Sequence, residues 1–95
     1  MTAQYVLIIH EIASYSAWKT VFDQAADMRK QAGEISYQLL KYDTDANHIV
    51  HFSVWDSLAN ARRFFESPAL VAIRELAGVH APEFIYLDEI ESGVL

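Results

Sequence analysis

The run His51-Phe52-Ser53-Val54-Trp55 concentrates the groups most able to do chemistry. If His48 to Trp55 is a strand, alternate residues share a face and stand about 7 Å apart. Val50, Phe52 and Val54 then make a uniformly apolar face. Ile49, His51, Ser53 and Trp55 make the other, lining up an imidazole, a hydroxyl and an indole N–H. An apolar pocket with a few directed polar groups is the usual form of a small-ligand site. The same groups would serve equally as core polar side chains satisfied by their neighbours. Trp18, Phe22, Phe64 and Phe65 supply an aromatic set for a core or for a flat wall against a planar ring. Tyr37 and Tyr86 each add a strand hydroxyl suited to a ligand or to an interface.

Other chemistries find little support. The four histidines are His10, His48, His51 and His80, and none forms a His-x-His pair or a helical pair four residues apart. His48 and His51 differ by three and so point to opposite faces of a strand. His10 falls late in the first strand and could approach the same cavity as His51. His80 precedes the last strand, at a pocket rim or on the surface. With no cysteine there is no disulfide and no thiolate ligand or nucleophile. We therefore expect no metal site. No glycine-rich phosphate loop and no Ser-His-Asp arrangement can be read from the spacing.

The elements that must position these residues follow from periodicity. Tyr5 to Glu11 is a short apolar run rich in β-branched residues, which reads as a strand buried on both faces. Ser14 or Ser16 can cap a helix whose core face is Trp18, Val21, Phe22, Ala25, Met28 and Ala32, with Gly33 ending it. From Glu34 to Tyr42 a strand sets Ile35, Tyr37 and Leu39 against Ser36, Gln38 and Leu40, one face being wetter. The polar cluster Asp43 to Asn47 turns it into the His48–Trp55 strand as an antiparallel hairpin. Asp56 or Ser57 caps a second helical region, which Ser67-Pro68 interrupts and restarts and Gly78 stops. Glu83 to Leu87 is the last strand. The order βαββαβ with right-handed crossovers puts the first and third strands in the centre. The expected fold is α+β and ferredoxin-like, a four-stranded antiparallel sheet with the helices on one face.

The 95 residues make one domain, 1–95, and 53% of them are hydrophobic, more than so small a core needs. Both central strands are apolar on both faces, so the sheet face without helices should pair with a second copy of the chain. A net charge of −6 argues against nucleic acid and against an anionic membrane surface. No signal-like N-terminus and no apolar run of about 20 residues is visible, which makes a cytoplasmic location the expectation.

The strand His51-Phe52-Ser53-Val54-Trp55, the cap Asp56-Ser57 and the helix from Leu58 to Phe65 ending in Glu66-Ser67-Pro68 together resemble a known family. Over its whole length the chain is similar to the antibiotic biosynthesis monooxygenase-like proteins of the dimeric α+β barrel superfamily. The resemblance implies a homodimer packed sheet to sheet, with a cavity in each subunit between sheet and helices. Trp55 matches the family's cavity tryptophan, and His51 stands where its oxygenases often carry asparagine. Haem-degrading members place an iron-ligating histidine ten residues after the tryptophan, where this chain has Phe65. The resemblance therefore implies a cofactor-independent oxygenase of a small phenol or quinol, with neither haem nor another cofactor. The alternatives are an isomerase or lyase of a small cyclic compound, or a dimer that binds a small hydrophobic molecule without catalysis. An oxygenase needs a base, an oxyanion donor and a dry aromatic slot. On that reading His51 is the base and Trp55 the N–H donor. Trp18, Phe22 and Phe64 supply the slot, and Ser53 or Tyr86 a second donor.

Overall fold

The computed structural model describes residues 3–95. Four strands, β1 (Gln4–Ile12), β2 (Glu34–Lys41), β3 (His48–Trp55) and β4 (Val79–Asp88), form one antiparallel sheet in the order β2-β3-β1-β4. Four helices, α1 (Tyr15–Gln24), α2 (Ala26–Ala32), α3 (Leu58–Phe65) and α4 (Pro68–Leu76), supply the two crossovers. This is the ferredoxin-like α+β fold, with β1 and β3 central.

Local chemistry starts the helices where the serines stand. The side chain of Ser14 accepts from the Ala17 N–H, that of Ser57 from Asn60 N–H, and that of Ser67 from Leu70 N–H. Pro68 occupies the first helical position of α4, where its missing N–H costs nothing. Gly33 ends α2 at φ 122, a conformation open to glycine, and an added Cβ would lie 2.3 Å from the Asp56 carboxylate.

The inner face of β3 is buried throughout at Ile49, His51, Ser53 and Trp55, while Val50, Phe52 and Val54 stay partly exposed. Register places Val6, Ile8 and His10 beside them on the same face of β1. One half of the core gathers Val6, Ile8, Trp55, Ala61, Phe64, Phe65 and Leu70, and the other Ile12, Trp18, Phe22, Ile49 and Ala77.

Three details depart from the sequence-based expectation, and two of them shape the interior. The first crossover is two helices rather than one, broken at Ala25, so Met28 lies exposed and Arg29 turns into the core at 5% exposure. In β2, Ile35 is an extra residue between the pairs Glu34↔Trp55 and Ser36↔Val54. This bulge sends both Glu34 and Tyr37 to the helix side, where simple alternation would have opposed them. Ile35 itself is 67% exposed. Finally, β4 begins at Val79, so His80 lies within the strand and not in a loop before it. Ala81 and Pro82 stand opposite His10 alone, a second bulge on an edge strand that tolerates proline.

Candidate functional site

β1 and β3 bring His10 and His51 to one face of the sheet, and α1, α2 and α4 cover them. Between these layers lies a cavity of about 60 Å3, room for a few waters, since one water takes roughly 10–15 Å3. Its wall is almost wholly apolar. The polar or charged side chains that reach it are His10, His51, Arg29 and Arg74.

His51 is held by a buried hydrogen-bonded chain. Its Nε2 lies 2.7 Å from Glu34 Oε2, and Arg29 Nε donates to Glu34 Oε1 at 2.6 Å. All three side chains are 6% exposed or less. The Arg29 guanidinium also donates to the Phe22 carbonyl and lies over the Phe22 ring, 3.7 Å from its centroid. Phe22 in turn meets the His51 ring edge-on at 5.0 Å. A carboxylate accepting from Nε2–H fixes the imidazole tautomer and leaves the lone pair on Nδ1. Such a nitrogen can take a proton, because the imidazolium that forms is already paired, and Arg29 compensates the carboxylate when it is not.

His10 is the opposite case. It is 5% exposed, yet neither ring nitrogen has a partner. Its ring lies 5.4 Å from that of Trp18. Burial first, then the charges of His51 and Arg74, push this imidazole down to about 3. It stays neutral in the folded protein while the unfolded chain takes up a proton near pH 6.5. The unfolded state therefore binds more protons between those values, and stability falls as pH falls through that window. We expect a loss of about 2 kcal/mol from this group alone by pH 5. Urea unfolding between pH 7 and 4.5 should show that slope, and His10→Leu should flatten it. An equal slope in the variant would show that His10 is protonated when folded.

The other residues singled out in the sequence divide sharply. Trp18, Phe22 and Phe64 line the cavity. Trp55 does not: its ring packs on Phe64 and Phe65, and its Nε1 donates to Ser53 Oγ at 2.8 Å. Ser53 is fully buried and donates onward to the Val6 carbonyl at 3.3 Å. Trp55 and Ser53, expected as donors to a ligand, instead pair with each other on the same buried face as His51 and are not among the residues lining the cavity. Tyr86 is also outside it, with the Arg62 guanidinium 4.0 Å above its ring. His48 bonds Asp45 beside the turn, and His80 is exposed. Among the described residues no three His, Asp or Glu side chains gather as a metal-ligand set.

Residues 13–76 match the family described as antibiotic biosynthesis monooxygenase. The chain belongs to this family. No curated protein matches the sequence. Among solved structures, SnoaB, a cofactor-independent oxygenase from Streptomyces nogalater, superposes with a TM-score of 0.74 at 16% identity, over 96% of this chain and 95% of that one. A monooxygenase of Streptomyces coelicolor, in complex with nanaomycin D, gives 0.65 at 15% identity, over 99% and 92%. A dimeric ferredoxin-like protein from an uncultured marine organism gives 0.63 at 12% identity, over 100% and 94%. At these identities the likeness is one of fold. The antibiotic biosynthesis monooxygenase match spans α1 to α4, so it includes Arg29, Glu34 and His51 but leaves His10 in β1 outside.

Proposed function

We propose that this antibiotic biosynthesis monooxygenase family member is a cofactor-independent oxygenase of a small phenol or quinol. The Arg29–Glu34–His51 chain carries the reading, because it offers a buried, oriented base inside an aromatic cavity. A phenol hydroxyl donates to His51 Nδ1 and passes its proton there. The resulting phenolate is electron-rich enough to reduce O2 by one electron, which the neutral phenol does poorly. Recombination at an open ortho carbon and loss of water convert the phenol and one O2 into an ortho-quinone and one water. The substrate supplies the electrons, so no other reductant enters. Trp18, Phe22 and Phe64 form the dry slot, and Trp55, held by Ser53, backs Phe64 and Phe65 at its wall. At about 60 Å3 the cavity must widen to admit even one ring, where one of about 150 Å3 holds benzene, and fused rings would need more.

Oxygen uptake with a panel of one-ring phenols and hydroquinones tests this. Consumption of one O2 per quinone formed is expected. Binding without uptake across the panel would instead favour a non-catalytic binding protein.

The same proposal includes a homodimer through the open sheet face. Tyr5 and Phe52 stack there at 5.1 Å, and Leu40 is 50% exposed beside them. Leu7, Ile9, Val50 and Val54 continue the patch. So large an apolar face is costly in water. Sedimentation equilibrium at micromolar concentration should give twice the monomer mass, and Phe52→Asp should give the monomer mass. A monomeric wild-type protein would rule the assembly out.

A further inference from the structure

We propose that His10 is a second ligand-binding pole of the cavity, donating a hydrogen bond to a carbonyl oxygen that lies across one ring from the phenol held by His51. This rests on the reading of His51 as base and narrows its substrate to para-hydroxyaryl carbonyl compounds. A buried imidazole with both nitrogens unpartnered is rare, since leaving such groups unbonded costs stability. His10 bears that cost at the wall of a cavity, so a bound molecule can relieve it.

Position limits the span of the molecule. His10 pairs across the sheet with Ile49, two residues before His51 on the same face of β3. Diagonal neighbours of this kind stand roughly 7–8 Å apart. A ring spanning the two imidazoles therefore meets each of them with an oxygen function at one of its ends. The groups facing His10 are His51 from β3, Arg74 from α4 and Trp18 from α1. No carboxylate is among them, so the end of the cavity near His10 suits a partial or full negative charge. When a para-hydroxyaryl ketone loses its phenol proton, charge moves through the ring to the carbonyl oxygen. An N–H already aimed there stabilises that charge without reorganising, and so makes the phenol easier for His51 to deprotonate.

The probes are 4-hydroxyacetophenone and 4-ethylphenol, which differ in the carbonyl. Their affinity ratio is measured by calorimetry for the wild type, His10→Phe, His10→Leu and Arg74→Met, each checked for folding by circular dichroism. Losing one hydrogen bond should reduce the ratio about tenfold in both His10 variants. The ultraviolet spectrum of the bound ketone should also show its phenol ionising at a higher pH in those variants. In the wild type, the His10 ring N–H resonance, observed with 15N-histidine labelling, should move with the ketone and not with ethylphenol. This holds even if both variants misfold. The assignment is overturned by an unchanged ratio in folded His10 variants, by a ratio lost in Arg74→Met alone, by a still His10 resonance, or by failure of both probes to bind. Failure of the base reading looks different: the bound phenol would ionise equally well in His51→Gln, while the His10-dependent ratio persists.

Discussion

Glu34→Ala should destabilise the protein by about 3–5 kcal/mol, the range for breaking a buried ion pair by removing one partner. For a domain whose total stability is of the order of 5–15 kcal/mol, that is a large part of it. The cause is what remains. Arg29, at 5% exposure, would be left with the Phe22 carbonyl and the Phe22 and Tyr37 rings to meet its charge. His51 would lose the acceptor that fixes its tautomer. Replacing both ionic partners by apolar residues, as in Arg29→Met with Glu34→Leu, should recover much of the loss, because no buried charge is then stranded. Urea denaturation of the single and double variants measures the difference. A loss below about 1 kcal/mol in Glu34→Ala would mean that water reaches the pair.

His51→Ala should lower kcat on any true substrate by about 10²–10⁴-fold, the usual yield of a positioned general base. Glu34 keeps its bond to Arg29 in this variant, so the fold should survive. Circular dichroism and dimer mass are the controls. Trp55→Phe should cost far less, within about tenfold, because the indole supports Phe64 and Phe65 and does not reach the cavity. Wild-type turnover in folded His51→Ala would show that the histidine is structural.

The alternation of β3 was enough to put His51 on the buried side, and the serine caps and Pro68 were enough to start the helices. Those are local signals of period and cap chemistry. The partners of His51 were not legible in the same way. Arg29 and Glu34 are charged residues of ordinary surface type, and what buries them is a helix break and a strand bulge. Neither proline nor glycine lies near Ala25, so nothing local announces the break. The bulge at Ile35 reverses the alternation that a uniform strand predicts. One signal was present: Arg29 follows Phe22 by seven residues and Ala25 by four, the spacing of a core face. Trp55 misled for a related reason. Its face was right, but alternation does not say whether a residue meets a cavity or, like Trp55, a neighbour on its own strand.

The most direct test of His51 as a base oriented by Glu34 is the absorbance of bound 4-nitrophenol, which oxygen does not consume. At a pH below the free ligand's own pKa, binding to the wild type should produce the phenolate band as the proton moves to His51. The band should be absent or much reduced with His51→Gln. A neutral phenol spectrum in the wild-type complex, or an undiminished phenolate band with His51→Gln, would contradict the assignment.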